Sequence, residues 1–377
     1  MQQEMLLADG VINSRDDRID RIKGIAIFLM VYGHASPFCR PFIYQFHLAV
    51  FLMASGLCYK DNIRTGKDFL RYFLRKLRSF YLPYVVLNGL VVLCMNGLIQ
   101  LNLYADDPRF LVDTQNYIFP QVLTEPLDKT EMWNQLKLVL LFHNTTQIGT
   151  ASWFLTALFE ILIFHSILSL IINRFSNRTV FYVVLLIGTT WLAWFLNVQD
   201  ITFLNPERCL PGMYAPFLLG ILLRRIQWDG TYPWLVAICS FGIICVFSQY
   251  QVVELSLGMI GNPVLYLLGS LAGWYLLEAI ARMMKNTSYA GRFCSYAGKH
   301  TLGIFCLHIL AFKLVSLLYV RINHRPDYLI ASFHIIFDAN EFWRALYGID
   351  GVLLPLLLIF LLEKCKSIFI NLRDRNI

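Results

Sequence analysis

Long apolar runs separated by short polar segments dominate the pattern of this 377-residue chain. A helix needs about 20 apolar residues to cross the hydrocarbon core of a bilayer, and several of these runs reach that length. Others are shorter or contain Gly and Pro, which is typical of helices that line a cavity instead of lipid. The pattern predicts ten membrane-spanning helices, at residues 21–37, 41–59, 79–101, 153–172, 179–196, 208–223, 233–250, 259–281, 301–320 and 346–363.

The largest connecting segment, 102–152, mixes acidic, aromatic and polar residues. Such a segment is compatible with a lid or a docking surface for a polar substrate, and also with a solvated connector. Within it, the apolar run 136–142 is too short to span a membrane and is expected to be re-entrant or interfacial.

The composition supports this interpretation, because 57% of the residues are hydrophobic, 15% are charged and the mean hydropathy is +0.55. A soluble protein of this size could not bury so much apolar surface, so we predict an all-α, polytopic membrane protein. Residues 1–18 lack the features of a cleavable signal, and the first apolar helix should act as its own insertion signal. Nine cysteines without CxxC spacing argue against a disulfide framework or a zinc site, and no metal is expected.

The net charge of +7 does not indicate nucleic-acid binding, because the basic residues cluster at the ends of the predicted helices. With the N-terminus inside, 23 of the 32 Lys and Arg residues fall in cytoplasmic segments, as the positive-inside rule requires. Only Lys313 lies within a span. The predicted organisation is a cytoplasmic N-terminal segment at 1–20, a membrane domain at 21–363 and a cytoplasmic tail at 364–377, with both termini inside.

Three chemistry-bearing residues lie along one face of the first predicted helix. Lys23 and His34 are eleven residues apart, so the histidine lies roughly 16 Å further along the axis and within roughly 20° of the same face. Asp20, three residues before Lys23, could pair with it and aim the lysine. An ionisable group at the depth of His34 indicates a functional site, although a histidine hydrogen-bonded between helices is an equal alternative.

This arrangement resembles the signature of acyltransferase family 3, in which a basic residue, ten intervening residues and a histidine open the first membrane helix. Lysine stands at position 23 where arginine is commoner, which keeps the charge but not the bidentate fork. The Gly33-His34 pair is similar to the branch that contains fucose 4-O-acetylase-like proteins. Five further segments match family patterns in the same order, at 46–51 with 55–56, 75–78 with 83–84, 152–159, 216–220 and 298–308.

The resemblance implies a membrane O-acyltransferase, most simply an O-acetyltransferase, in a bacterial inner membrane. The donor substrate would be cytoplasmic acyl-CoA (acetyl-CoA), and the acceptor an envelope polysaccharide or a lipid-linked sugar. A sugar hydroxyl is a weak nucleophile at neutral pH and needs a base, for which a neutral His34 is the candidate, with Asp20 in the same column. The donor phosphates would bind a cytoplasmic cluster of basic residues. The alternative is that these residues only set the membrane topology. The members of the cluster are Lys23, Arg75, Lys76 and Arg78.

The acceptor side has weaker candidates, each of which has a structural alternative. Glu160 could pair with Lys313 or orient a histidine. His143, His165, His300, His324 and His334 are predicted to lie outside the site. The substrate-side candidates are His47, Ser55, Trp153, Glu160 and His308.

Two other classes of function remain open at this point. Ten helices with buried His, Glu and Lys also suit a proton-coupled transporter of acyl groups or glycans. A non-enzymatic membrane partner of a polysaccharide assembly complex is the third hypothesis. For the enzyme, transfer could be direct or pass through an acyl group on Ser55 or His34, although no nucleophile motif supports a relay.

Overall fold

The described part of the chain is built from helices joined by loops, and a single isolated bridge pairs Glu254 with Met259. The computed structural model describes residues 17–60, 62–143, 146–175, 177–201, 210–226, 228–285 and 287–375. Most of the predicted N-terminal segment, together with Arg208 and Cys209, lies outside the described residues. The prediction of an all-α, polytopic membrane protein is confirmed.

The helices are numbered here in chain order. They are α1 (Asp17–Ala35), α2 (Arg40–Tyr44), α3 (His47–Leu57), α4 (Gly66–Lys76), α5 (Leu82–Leu93), α6 (Met95–Gln100), α7 (Arg109–Asp113), α8 (Lys129–Leu140), α9 (Trp153–Ile172), α10 (Arg178–Val198), α11 (Leu210–Leu223), α12 (Pro233–Tyr250), α13 (Pro263–Met283), α14 (Tyr289–Lys299), α15 (Thr301–Ile322) and α16 (Glu341–Arg375). A π-helical turn, Leu77–Tyr81, joins α4 to α5, and 3₁₀ turns occupy Thr150–Ser152, Leu255–Leu257 and Asp327–Ala331.

Helix is present at each of the ten predicted apolar runs, but not always as one continuous span. The run 41–59 divides into α2 and α3, and the run 79–101 divides into the π-helical turn, α5 and α6. Within the described residues, six helices are long and apolar enough to cross a membrane by themselves. These are α9 with its preceding 3₁₀ turn, α10, α12, α13, α15 and the first part of α16, and α11 is a shorter apolar helix.

Helix α1 lies inside the bundle, in contact with α3, α13, α14, α15 and α16. Its closest neighbour is α14, where glycines remove the side chains that would keep the backbones apart. A Cβ at Gly24 would lie 1.9 Å from the carbonyl oxygen of Cys294, and one at Gly298 would lie 1.7 Å from that of Asp20. Small residues at a helix interface permit this approach in membranes. The glycines therefore fix α1, and the residues it carries, in the centre of the protein.

A second glycine contact joins α3 to α11. A Cβ at Gly56 would lie 2.0 Å from the carbonyl oxygen of Phe217, and one at Gly220 would lie 2.0 Å from that of Met53. Helices α10 and α12, by contrast, leave most of their apolar side chains exposed, as expected of helices that face lipid. The interior of the fold is thus formed around α1 and α3, and the candidate site lies there.

Candidate functional site

A cavity of about 410 Å³ lies at the C-terminal end of α1, and we call it the histidine cavity. Helices α1, α2, α3, α9 and α15 contribute to its wall, together with the connecting segments before α8, α9, α13 and α16. Its lining residues are Met30, His34, Arg40, Tyr44, His47, Leu48, Ile118, Phe119, Pro120, Thr150, Ala151, Trp153, Phe154, Glu254, Ser256, Leu257, Phe305, Ile309, Phe333 and His334.

His34 faces this cavity and is oriented by a tyrosine of the next helix. The Tyr44 hydroxyl lies 3.2 Å from Nδ1 of His34. Nε2 of His34 makes no hydrogen bond with any described residue, so this nitrogen is the one available to a ligand. If Nδ1–H donates to the tyrosine oxygen, Nε2 carries the lone pair of a general base.

Two further imidazoles contact His34. The His308 ring stacks on it with the ring centroids 5.5 Å apart, and the His334 ring lies at 4.5 Å. Nδ1 of His308 donates to the carbonyl oxygens of Ile304 and Phe305, at 3.0 and 3.1 Å. His308 therefore keeps its lone pair on Nε2, which is buried without a hydrogen-bond partner. Three histidines from separate parts of the chain form one cluster.

His47 belongs to the same wall of the cavity. Its Nδ1 donates to the carbonyl oxygen of Ile43 at 3.1 Å, which leaves a lone pair on Nε2. Its ring lies 4.5 Å from that of Tyr44. His47 thus presents a hydrogen-bond acceptor to whatever occupies the cavity.

Arg40 and Glu254 form an ion pair in the wall of the histidine cavity. Arg40 donates to Glu254 at 2.6 Å, and its guanidinium lies 4.7 Å from the ring centroids of both Tyr44 and Phe119. The carboxylate and the two rings hold the guanidinium in place. Because Glu254 neutralises Arg40, this pair offers hydrogen bonds without a net charge.

The connecting segment 102–152 contributes directly to the cavity through Ile118, Phe119 and Pro120. Gln121 fixes this segment by two reciprocal hydrogen bonds of 2.8 Å with the backbone of Phe333. The segment therefore forms part of the wall of the cavity and is anchored to the segment that precedes α16.

A second cavity, of about 490 Å³, lies at the opposite end of α1, and we call it the basic cavity. Four cations line it, which makes it suited to a polyanionic ligand. Tyr72 lies between two of them, with its ring centroid 5.4 Å from the Arg75 guanidinium and 5.3 Å from the Lys76 ammonium. The lining residues are Lys23, Ala54, Ser55, Cys58, Tyr59, Lys60, Asn62, Tyr72, Arg75, Lys76, Phe80 and Leu162.

Helix α4 carries two of these cations, and its N-terminus is stabilised by a capping box. Thr65 and Asp68 form a capping box, in which the Thr65 hydroxyl accepts from the Asp68 amide and the Asp68 carboxylate accepts from the Thr65 amide. Hydrogen bonds, first from the Thr65 side chain, lower the pKa of Asp68. At the other end of α4, burial and then repulsion from Arg75 lower the pKa of the Lys76 ammonium.

Three helices, α1, α3 and α9, line both cavities, and a thin apolar layer separates the two. Phe51 lies on α3 between Leu48 of the histidine cavity and Ser55 of the basic cavity. Its ring centroid is 5.1 Å from that of Phe305 and 6.2 Å from that of Phe154. These three rings pack together between the two sets of lining residues, and Ile27 of α1 and Leu158 of α9 are buried at the same level.

Comparison with known proteins now decides the family. Residues 16–361 match the model of acyltransferase family 3, described as an acyltransferase domain. The chain belongs to acyltransferase family 3. No curated protein and no solved structure matches it.

Family membership and the apolar helices make this acyltransferase an integral, multi-pass membrane protein. They favour an enzyme over the transporter and the non-enzymatic partner. The structure also places every site residue that was predicted from the sequence, and two of those predictions need correction.

Asp20 is not part of the catalytic arrangement in this acyltransferase. Its carboxylate lies 2.9 Å from the Lys23 ammonium, as the helical spacing predicted. His34 is fourteen residues further on, or about 21 Å along the helix axis, so Asp20 cannot contact it. Asp20 therefore cannot act on His34 directly; Tyr44 lies beside His34 instead, and Asp20 pairs with Lys23.

Arg78 is likewise misplaced in the predicted donor cluster. Arg78 lies in the π-helical turn Leu77–Tyr81 that follows α4. Arg78 is exposed and does not line the basic cavity, whereas Phe80 does. Lys23, Arg75 and Lys76 meet there as predicted, and Lys60 joins them.

The weaker substrate-side candidates separate into different places in the acyltransferase. His47 and Trp153 line the histidine cavity, His308 packs behind His34, and Ser55 lines the basic cavity. Glu160 lines neither, but an apolar cavity between α9, α10 and α11.

Lys313 does not pair with Glu160. Its ammonium donates to the carbonyl oxygens of Ile330, Ala331 and Ser332, at 3.2, 2.9 and 2.9 Å. The buried charge is thus satisfied by the backbone of the 3₁₀ turn that precedes His334.

Sequence reasoning missed Tyr44, Arg40 and Glu254, and assigned His334 no role. None of the four belongs to a helical stripe with His34, so no periodicity could have revealed them. The apolar context of His334, between Phe333 and two isoleucines within a polar connecting segment, is the one signal that could have been used.

Proposed function

We propose that this protein is a membrane O-acyltransferase that moves an acyl group, acetyl in the simplest case, from acyl-CoA to a hydroxyl of an envelope carbohydrate. The observation that carries the proposal is the placement of two cavities along the same three helices. One cavity is lined by four cations, and the other holds a histidine cluster. A donor and an acceptor that enter from opposite sides would meet near His34.

The basic cavity is the proposed donor site. The phosphates of acyl-CoA are strong acceptors for Lys23, Arg75 and Lys76, since ammonium and guanidinium groups form charge-assisted hydrogen bonds with phosphate oxygens. By the positive-inside count, this cavity faces the cytoplasm, where acyl-CoA is made. The thioester arm would extend along α1 towards His34 and would have to displace the ring of Phe51.

The histidine cavity is the proposed acceptor site. Its aromatic side chains, among them Trp153 and Phe119, offer flat apolar faces, while His47, Arg40 and Glu254 offer hydrogen bonds. A sugar ring combines apolar C–H faces with hydroxyls, so this mixture suits it. The cavity lies at the predicted external end of α1, which favours an envelope polysaccharide or its lipid-linked precursor as the acceptor, and a bacterial inner membrane as the location.

In the proposed reaction the acceptor oxygen attacks the thioester carbonyl carbon, and Nε2 of His34 takes the hydroxyl proton. The C–S bond then breaks, the thiolate leaves and regains a proton, and the products are an O-acyl ester and free CoA. Ser55 donates its hydroxyl to the Phe51 carbonyl oxygen at 2.8 Å, and no histidine among the described residues lines its cavity. We therefore favour direct transfer over an acyl-serine intermediate.

Mass spectrometry of envelope glycans tests this proposal in cells that express the wild-type protein, a His34→Ala variant or neither. We expect acyl groups on a sugar hydroxyl in the first case only. The control is His143→Ala, since His143 is exposed and lines neither cavity. Identical glycans in all cells would contradict the proposed acceptor, and acylation that persists in His34→Ala would contradict the proposed base.

A further inference from the structure

His334 lies in the segment between the 3₁₀ turn and α16. No sequence pattern predicted that it would be part of the site. Its ring centroid is 4.5 Å from that of His34, and it lines the histidine cavity. The ring is nearly completely buried, with 5% of its surface exposed. A buried imidazole beside the candidate base calls for a chemical explanation.

The backbone on the N-terminal side of His334 is held unusually firmly. Lys313 ties the carbonyls of residues 330–332 to α15 through three hydrogen bonds, and Gln121 clamps both backbone groups of Phe333. The ring itself packs against Phe119, with centroids 4.3 Å apart. Fixed orientation of this kind distinguishes a preorganised polar group from a mobile surface histidine.

The two nitrogens of His334 have different surroundings. Nδ1 is buried without a hydrogen-bond partner, while Nε2 makes no hydrogen bond with any described residue and is open to the cavity. An unpaired buried N–H is costly, and neutral imidazole intrinsically favours protonation at Nε2. The proton therefore belongs on Nε2, and His334 presents a donor to the cavity. Burial, followed by the charges of neighbouring groups, lowers the pKa of His334, which keeps the ring neutral at pH 7.

The neighbouring imidazoles are arranged as hydrogen-bond acceptors instead of donors. His47 and His308 each use Nδ1–H to bind a backbone carbonyl, so that their Nε2 atoms are lone-pair acceptors. The proposed base, His34, must also be an acceptor at Nε2. Among the three histidines of the cluster and His47, His334 is the one arranged to donate.

We infer that His334 is a catalytic residue that donates its Nε2–H to the thioester carbonyl oxygen as this oxygen gains negative charge during acyl transfer. The inference rests on the proposed function. No bond to His334 forms or breaks: its hydrogen bond strengthens in the tetrahedral intermediate, and the proton stays on Nε2. His34 moves the hydroxyl proton, and His334 stabilises the oxyanion.

The spacing of the two rings agrees with this division of roles. A base nitrogen lies about 2.8 Å from the attacking oxygen, which approaches the carbonyl carbon from about 3 Å, while the donor nitrogen lies about 2.8 Å from the carbonyl oxygen. The two ring centroids are 4.5 Å apart, so both imidazoles lie close enough to reach one carbonyl group and its attacking oxygen.

Two substitutions separate a donor from a base and from a packing residue. His334→Gln places an amide N–H near the position of Nε2 but cannot act as a base at neutral pH, whereas His334→Phe preserves an aromatic ring without a donor. We expect kcat with acetyl-CoA to fall roughly 100- to 1,000-fold in His334→Phe, as for the loss of an oxyanion donor, and much less in His334→Gln. The KM for acetyl-CoA should change little in either variant.

The same substitutions at the exposed His143 are the matched controls and should leave kcat unchanged. Thermal unfolding of each purified variant checks folding, and His334→Met replaces His334→Phe if the latter does not fold. Full activity in His334→Phe or His334→Met would overturn the donor role, as would equal losses in the Gln and Phe variants. If the wild type itself transfers no acyl group from acetyl-CoA, the proposed function fails, which is a separate result from loss of the donor role alone.

Discussion

The hydroxyl of Tyr44 lies 3.2 Å from Nδ1 of His34, so a tyrosine takes the place that an acidic partner occupies in many histidine-based sites. Tyr44 can fix both the ring orientation and the tautomer of His34. Because a tyrosine is neutral, it stabilises a protonated imidazole less than a carboxylate would. This relationship makes the contribution of Tyr44 to catalysis modest and measurable.

Tyr44→Phe removes this hydrogen bond and keeps the ring. A neutral hydrogen bond contributes about 0.5–1.5 kcal/mol, so we expect kcat to fall roughly 3- to 10-fold without a change in the KM for acetyl-CoA. Steady-state kinetics of the purified variant measures both constants. The control is Tyr289→Phe, at an exposed position outside both cavities. Unchanged kcat in Tyr44→Phe would remove Tyr44 from the mechanism.

Cations of the basic cavity should decide donor affinity. Lys23→Ala and Arg75→Ala each remove one charged hydrogen-bond donor, worth about 1.5–3 kcal/mol, so the Kd for acetyl-CoA should rise roughly 10- to 100-fold. Calorimetry at several salt concentrations should also give a steeper salt dependence for the wild type than for either variant. Lys23→Arg should bind well, because it keeps the charge.

Arg78→Ala is the matched control for this series, since Arg78 is exposed and lies outside the cavity. Its affinity for acetyl-CoA should equal that of the wild type. If Arg78→Ala weakens binding as much as Arg75→Ala, the donor does not sit in the basic cavity, and the basic residues act through the general charge of this face.

The lowered pKa of Lys76 predicts a pH dependence of donor binding. As the pH rises through this pKa, Lys76 loses its charge and the affinity for acetyl-CoA should decline. This decline should begin at a lower pH than it would for a lysine with an ordinary pKa. A bound phosphate favours the charged ammonium and should therefore draw a proton onto Lys76. Calorimetry in buffers of different ionisation enthalpy detects this uptake. Lys76→Arg should abolish it, and proton uptake of the same size in Lys76→Arg would exclude Lys76.

The aromatic layer between the cavities should control passage of the acyl group. Phe51→Trp enlarges the ring that contacts Phe154 and Phe305, and we expect slower transfer with an unchanged Kd for acetyl-CoA. A rapid-quench measurement of a single turnover, beside calorimetry on the same sample, separates the two effects. The control is Phe164→Trp on the exposed face of α9. Equal single-turnover rates in Phe51→Trp and wild type would place the route elsewhere.

Local periodicity was sufficient to predict some of this site and insufficient for the rest. The spacing of Lys23 and His34 on one helix correctly placed them at two ends of α1, because helical geometry fixes both distance and direction. Arg78 was grouped with Arg75 and Lys76 because they are neighbours in the sequence, and neighbours on a helix need not share a face; the structure places Arg78 on an exposed surface outside the basic cavity. The division of the run 79–101 at Cys94 was also hidden, because apolar residues continue on both sides of it.

The partners of His34 could not be predicted from spacing, since they arrive from other elements. His334 follows a turn held by Lys313, and Tyr44 follows the loop after α1. A buried lysine satisfied by three carbonyls looks in the sequence like half of an ion pair, so the sequence suggests a pairing of Lys313 with Glu160 that the structure does not contain. Packing, and not sequence position, assembles the histidine cluster.

Acyl transfer by the purified protein tests directly whether His34 activates a hydroxyl for attack on a CoA thioester. The protein in proteoliposomes receives radiolabelled acetyl-CoA and envelope glycan acceptor, and labelled glycan is counted for wild type, His34→Ala and the control His143→Ala. We expect label on the glycan with wild type and His143→Ala, and a loss of about 100- to 10,000-fold with His34→Ala, while acetyl-CoA binding and thermal stability persist. Wild-type transfer rates in a folded His34→Ala protein would contradict it.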